Sequence, residues 1–263
     1  MRSAGDEVYL FGAHDGRLLR GRWHAGQLSW DPEPQMLGRG FTSFEVHSDE
    51  ATREAVAVFT DAHRGRHESW RVSGELARLH EQDDADLLAK RKLSWVPGDD
   101  GGGRPWALAY EPGASRHAWF VEPGRVEMAT LPPAETYRFA RAGRINFALS
   151  YGPDTSGRSL SRVLELAPID RQGQLGEPIL HVQDLETWDE VELLGDPEGA
   201  ELWITRYRQL DGRVHLSRVN PHDGALTAER ESVLPPNLVD LEWDFVPEGL
   251  RVLGLNEEGR SAV

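Results

Sequence analysis

The sequence contains no cysteine among its 263 residues. A chain without thiols has no disulfide framework, no thiolate nucleophile and no cysteine-ligated zinc site. Its stability must therefore come from an ordinary hydrophobic core. A chain of this length with 39% hydrophobic residues can build one.

Long apolar runs are also lacking. No stretch approaches the ~20 residues that a helix needs to cross a bilayer. Residues 1–7 contain no apolar segment of the kind that signal peptides carry. From these two absences we expect a cytoplasmic bacterial protein without membrane contact.

Basic residues are scarce, with 29 Lys and Arg against 44 Asp and Glu, which gives a formal net charge of -15. Such a chain repels phosphate backbones and anionic lipid surfaces. We therefore expect no direct nucleic-acid ligand, and we look for a protein partner instead.

Short segments of alternating apolar and polar residues run through most of the sequence, separated by turn residues. Residues 8–11 precede Asp15-Gly16, and residues 202–207 precede Asp211-Gly212. Asp-Gly is typical of tight hairpins because glycine adopts positive φ without steric cost. The pattern predicts an antiparallel all-β protein. Residues 74–92 are less clear, because their leucines are near helical spacing and fit either a strand or a short helix.

The predicted strands recur in groups of four with a period of about fifty residues, which is the length of a propeller blade. The units are residues 41–82, 91–131, 137–183, 188–234, and a fifth made of 238–263 together with 1–34. The two ends complement each other in this scheme, because each supplies strands that the other lacks. A unit closed by both ends would remove the open edge of a linear array.

Several turns resemble those of bacterial β-propeller repeats. Pro197-Glu198-Gly199 and Pro247-Glu248-Gly249 each precede a strand, and residues 168–173 and 220–224 resemble the turn between the last two strands of a blade. Proline presets φ for such a turn and glycine ends it in a left-handed conformation. No unit carries the combination of a Gly-His and a Trp-Asp dipeptide that is typical of the WD40 type.

The resemblance implies a single domain over residues 1–263, a disc of blades around a central channel with binding surfaces on its faces. We expect five four-stranded blades, the last closed by both termini. Six blades or an incomplete ring are the alternatives.

Motifs of catalysis are missing from the sequence. Residues 157–161 resemble a nucleophile elbow, but Ser161 stands where the strained turn requires glycine. The aspartate-rich stretches lack the spacing of a calcium-binding EF-hand. We expect no catalytic residue, no cofactor and no metal site.

Acidic residues are concentrated in the last third, where residues 181–263 hold 18 acidic and 7 basic side chains. Such a patch can steer a basic partner. The candidate interaction surface surrounds one tryptophan: Asp184, Glu186, Trp188, Asp189, Glu190 and Glu192. For this acidic patch, a merely solubilising charged face is the alternative. Of opposite sign are Arg138, Arg141 and Arg144, which we expect to contact an acidic partner.

The sequence thus favours a non-catalytic protein-interaction module, such as an adaptor, scaffold or regulatory subunit. The alternative is a hydrolase or lactonase with channel-bound calcium or paired carboxylates, as the resemblance to propellers allows. Its candidate acids lie at the ends of predicted inner strands: Glu45, Glu192, Glu242 and Asp244.

Overall fold

The structure is a computed structural model. It describes residues 2–4, 7–24, 27–49, 54–61, 63–64, 66–83, 92–96, 106–122, 125–154, 161–195, 201–246, 249–256 and 261–262. These residues form 24 strands in six antiparallel sheets. By its internal contacts the chain divides into two compact units, Met1–Arg91 and Lys92–Val263.

The first unit contains two sheets. The first sheet comprises β1 (Arg2–Ala4), β2 (Glu7–Gly12), β3 (Arg17–His24), β4 (Gln27–Trp30) and β5 (Gln35–Met36). Its order is β1-β2-β3-β4, with β5 also paired to β3. The second sheet comprises β6 (Ser43–Asp49), β7 (Glu54–Asp61), β8 (Arg66–Arg71) and β9 (Ala77–Asp83) in chain order. Residues 74–92, for which a strand and a short helix were both open, thus form a strand over Ala77–Asp83. Residues 84–91 lie outside the described part.

Phenylalanine rings build the core of this unit. Phe44 and Phe59 are directly opposite each other on β6 and β7, and their rings stack with centroids 5.6 Å apart. Phe11 of β2 packs edge-on against Phe59 at 5.0 Å. The alternation of strand residues places these rings on one face of each sheet, and burial of that face joins the two sheets.

The second unit contains four sheets, each in chain order. The third sheet comprises β10 (Lys92–Val96), β11 (Trp106–Tyr110), β12 (Arg116–Glu122) and β13 (Arg125–Thr130), and the fourth comprises β14 (Thr136–Ala142), β15 (Ile145–Pro153), β16 (Arg162–Ile169) and β17 (Leu180–Asp184). The fifth comprises β18 (Glu190–Gly195), β19 (Leu202–Tyr207), β20 (Arg213–Val219) and β21 (Leu226–Val233), and the sixth comprises β22 (Leu238–Val246), β23 (Gly249–Asn256) and β24 (Ser261–Ala262).

Consecutive sheets of this unit pack face to face through separate apolar cores. Leu108 and Phe139 belong to the core between the third and fourth sheets. Phe147 and Leu193 belong to the core between the fourth and fifth, and Tyr207 and Trp243 to that between the fifth and sixth. The fourth and fifth sheets therefore bury both faces, which explains strands as apolar as β15 and β19.

A buried tyrosine hydrogen-bonds each of three sheets to the next. The hydroxyl of Tyr151, on β15, accepts the backbone N–H of Trp188 at 3.1 Å, just before β18. Tyr207, on β19, accepts the N–H of Leu238 at 3.0 Å, and Tyr110, on β11, accepts that of Tyr137 at 3.3 Å. Burial raises the pKa of all three tyrosines, so each stays a neutral phenol.

The turns that carried the propeller resemblance are confirmed where they are described. Gly173 and Gly224 have φ values of 77° and 69°, in the left-handed region that the pattern predicts. The two Pro-Glu-Gly turns include residues 196–200 and 247–248, which lie outside the described residues.

The prediction of five sheets with the last closed by both termini is wrong. Residues 2–36 form a sheet of their own, and 238–262 form another, so the described strands make six sheets. The difference arises at β1, which pairs with β2 and gives the N-terminal sheet its own first strand. Three residues are too few to show an alternating pattern, so the sequence concealed this strand.

The described residues include no helix long and apolar enough to cross a membrane.

Candidate functional site

The residues of the predicted acidic surface lie where the fourth sheet leads into the fifth. Asp184 ends β17, residues 185–189 form the connection, and Glu190 and Glu192 lie on β18. Trp188, in the middle of the connection, is buried. Its indole is therefore part of the core between these sheets.

Asp184 holds this connection in place through a buried ion pair. Its Oδ2 accepts hydrogen bonds of 2.7 Å from the indole Nε1–H of Trp188 and from Nη1 of Arg206. The side chains of Asp184 and Arg206 are only 13% and 11% exposed. The guanidinium also lies over the Trp188 ring, 5.3 Å from its centroid. A charge pair so little exposed is screened weakly by solvent.

His215, on β20, completes this cluster. Nη2 of Arg206 lies 2.5 Å from its Nδ1. Because a guanidinium can only donate, Nδ1 is the acceptor, and Nε2 faces Glu229 Oε1 at 3.7 Å. Burial and the neighbouring Arg206 charge lower the pKa of His215 below its ordinary 6.5. The imidazole is therefore neutral at pH 7.

Glu186 and Asp189 tie the connection to the β19–β20 turn. Glu186 accepts hydrogen bonds of 2.8 Å and 3.0 Å from Nη1 of Arg213, and lies 3.5 Å from Nη1 of Arg208. The backbone N–H of Gln209 donates to Asp189 at 2.7 Å. Both carboxylates are thus engaged within the chain.

The predicted arginines are divided between two places. Arg138, on β14, forms an ion pair with Glu192 on β18, so the structure pairs two residues of the predicted surface with each other. Arg141 and Arg144 lie at the β14–β15 turn, where Nε of Arg141 donates to the Gly143 carbonyl at 2.9 Å. This turn is at the opposite end of β14 from the Trp188 connection, a strand length of roughly 20 Å away.

Three exposed apolar residues near this cluster were not identified from the sequence. Leu185, Leu210 and Val233 are 88%, 84% and 72% exposed. We call these three residues the loop surface. A single leucine within a polar turn gives no periodic signal, so their juxtaposition was not visible in the sequence.

Hydrogen bonds link the segments that carry the loop surface. The connection bearing Leu185 is bound to the turn bearing Leu210 through Glu186 and Asp189. The same β19–β20 turn also accepts two backbone hydrogen bonds of 2.8 Å. The N–H of Leu234 donates to the carbonyl of Gly212, and the N–H of Asn237 donates to the carbonyl of Gln209. Val233 immediately precedes Leu234. The three residues therefore lie on adjoining segments at one end of the fifth sheet.

A groove of about 750 Å³ lies elsewhere in the second unit, between the third and fourth sheets. Strand β13, one face of β15 and β16, and the turn at 172–178 form its walls. Two carboxylates, Glu127 and Glu165, belong to the lining. Oε1 of Glu165 is 2.8 Å from Nδ1 of His181.

The described carboxylates of the hydrolase alternative lie on the first strands of three different sheets. Glu45 is on β6, Glu192 and Glu242 are on β18 and β22, and the side chain of Asp244 lies outside the described part. Within the described ranges, no group of three or more His, Asp or Glu side chains is arranged to hold a metal ion.

The comparisons with known proteins concern the fold. No family model and no curated protein matches the sequence. Among solved structures, hydrazine synthase of Kuenenia stuttgartiensis is similar, with a TM-score of 0.60 at 13% identity over 99% of this chain and 82% of that one. A calcium-binding protein, regucalcin, of Agrobacterium tumefaciens gives 0.54 at 15% identity over 95% and 77%.

A third similar structure is described as a propeller domain in its own right. It is the Swd1 β-propeller domain of Myceliophteria thermophila, with a TM-score of 0.51 at 14% identity over 95% of this chain and 77% of that one. The chain has the β-propeller fold. Each of the six sheets corresponds to a blade of this propeller. At these identities the similarity extends to the fold and not to a function.

Proposed function

We propose that this propeller is a non-catalytic protein-interaction module of a cytoplasmic bacterial complex, and that its partner contacts the loop surface. The observation that carries the proposal is the grouping of Leu185, Leu210 and Val233 on adjoining segments. Exposed apolar residues occur singly on most proteins, whereas a group rimmed by charged residues is typical of an interface.

The surroundings of the loop surface also suit an interface. Arg208 and Arg213 flank Leu210 in the chain and both pair with Glu186, the residue after Leu185. Arginine is enriched where proteins meet. The hydrogen bonds of Glu186 and Asp189 hold the segments in place before binding. A surface fixed in advance loses less conformational entropy when a partner docks.

The charge of the region favours a partner with basic groups. The last third of the chain has 18 acidic and 7 basic residues. Asp184, Glu186 and Glu192 are paired internally, so we expect the acidity to speed association through its long-range field rather than through new ion pairs.

The test uses the wild type and two variants, each as bait for the proteins encoded beside its gene. Leu185→Asp combined with Leu210→Asp places charge on the loop surface. Leu226→Asp is the matched control, because Leu226 is also exposed but lies at the other end of β21. We expect a partner that the wild type and the control both bind, and that the double variant binds at least tenfold more weakly in calorimetry with the purified partner, a loss of about 1.4 kcal/mol.

Equal binding by the double variant, or no binding by the wild type, would reject the proposal. Circular dichroism on each variant separates a lost contact from a lost fold.

The hydrolase alternative has one point in its favour, the fold it shares with a calcium-binding regucalcin. One of its candidate acids, Glu192, is already paired with Arg138. We expect addition of calcium to leave thermal unfolding unchanged. A rise in melting temperature that saturates with calcium would favour this alternative.

A further inference from the structure

The groove between the third and fourth sheets originates in the alternation of β15 and β16. On one face, Phe147, Leu149 and Leu166 fill the core toward the fifth sheet. On the opposite face the strands present the small residues Ala148, Ser150 and Ala167. Small side chains on this face leave the space that large ones occupy on the other.

The groove is acidic. Its lining includes Glu127 and Glu165 and, among the described residues that form it, no lysine, arginine or histidine. Tyr137 also lies there, and burial, followed by the neighbouring Tyr110 and Glu165, raises its pKa strongly. The phenol therefore stays neutral. Glu127 and Glu165 are the charged residues of the described lining, and Glu165 also contacts Nδ1 of His181, which lies outside the lining.

Apolar groups line the groove beside these acids. Leu175 and Pro178 contribute aliphatic surface, and Gln172 and Gln174 contribute amides that can accept or donate. A volume of about 750 Å³ is within the range of small-molecule sites. An aliphatic wall next to a carboxylate complements a chain that ends in a positive charge.

We propose that this groove binds an ammonium or guanidinium group carried on an aliphatic chain, with Glu165 and Glu127 as its counter-charges. Anionic ligands are disfavoured, because the carboxylates would repel them. A free polyamine and the side chain of a lysine or arginine both present this chemistry. The site is separate from the loop surface, so the proposal stands independently of the proposed function.

Isothermal titration calorimetry at low salt tests the proposal with cadaverine and agmatine as probes and with neutral pentanediol as their uncharged counterpart. We expect both cations to bind and pentanediol not to bind. Glu165→Gln and Glu127→Gln should each weaken cadaverine about tenfold, because each removes one charge-assisted contact.

Glu177→Gln is the matched control. It removes the same charge from the turn at 172–178 that forms a wall of the groove, but Glu177 is exposed and does not line the groove. We expect it to bind cadaverine within twofold of the wild type. Equal weakening by Glu177→Gln would show that only the net charge matters, and equal binding of pentanediol would show that charge does not matter; either result overturns the proposal, as does failure of the wild type to bind the cations.

A lysine-containing peptide and its acetylated form distinguish the two sources of the ligand. Tighter binding of the peptide than of cadaverine, lost on acetylation, identifies a protein side chain as the ligand. Tighter binding of cadaverine identifies a small amine. Circular dichroism confirms that each glutamine variant is folded.

Discussion

Arg206 joins three segments around the Trp188 connection. Its guanidinium contacts Asp184, His215 and the ring of Trp188, and each of these belongs to a different segment. Removing one member of a buried charge pair leaves the other desolvated and without its counter-ion. The contribution of Arg206 is therefore measured best by what its loss does to Asp184.

We expect Arg206→Met to reduce the free energy of unfolding by about 3–5 kcal/mol, because methionine preserves the packing but leaves the Asp184 carboxylate buried and uncompensated. Urea denaturation followed by tryptophan fluorescence gives the value. Arg230→Met, on the exposed face of β21, is the control, and we expect it to stay within about 0.5 kcal/mol of the wild type. A loss for Arg206→Met no greater than that of the control would mean that the pair contributes nothing to stability.

At the scale of elements, Gly195 is a point where two sheets of the second unit approach each other closely. Gly195, the last residue of β18, faces the backbone carbonyl of Arg141 on β14. A Cβ built on Gly195 would lie far inside van der Waals contact with that oxygen. The fourth and fifth sheets can therefore meet in this way only if the residue has no side chain.

Gly195→Ala should destabilise the protein by about 1–3 kcal/mol, since a backbone atom cannot swing aside as a side chain can. The change should lower the midpoint of urea unfolding without altering the slope. Gly143→Ala is a useful comparison, because Gly143 has a φ of 58° but open space around its Cβ position. The stability that Gly143→Ala loses measures the strain of the left-handed backbone alone. We expect this loss to be smaller than the loss caused by Gly195→Ala.

For the whole molecule, the net charge of -15 is a source of self-repulsion in the compact state. Sodium chloride screens such repulsion, because the Debye length falls from about 30 Å at 0.01 M to about 10 Å at 0.1 M. Buried pairs such as Asp184 and Arg206 are screened much less.

We therefore expect the melting temperature to rise when salt increases from low to moderate concentration at pH 7.5. Differential scanning calorimetry measures the shift. Near pH 5.1, the isoelectric point given by the composition, the repulsion vanishes and so should the shift. A melting temperature that falls with salt at pH 7.5 would show that surface ion pairs outweigh the repulsion.

The alternation of residues and the turn glycines were sufficient to predict the fold class. The number of blades was predicted wrongly as five, with six as an alternative, because the count followed the first strand of each unit and β1 is too short to show a pattern.

The candidate surface was located by sequence but its internal pairing was not. The concentration of acid around Trp188 is a property of composition, whereas the partners of those acids depend on register. Arg206 meets Asp184 across 22 residues, and Arg138 meets Glu192 across 54. Nothing in local spacing indicates such contacts, since they exist only once neighbouring sheets have packed.

The tyrosine hydroxyls that accept the backbone N–H groups of Tyr137, Trp188 and Leu238 have a consequence for cooperativity. In each case the hydroxyl belongs to one blade and the amide to the next. A blade of this series that unfolds alone deprives its neighbour of a buried hydrogen bond, in addition to exposing its apolar face. The free energy of opening a single blade therefore includes a nearest-neighbour term, as in a linear repeat protein, and the four blades of the second unit should lose their structure together.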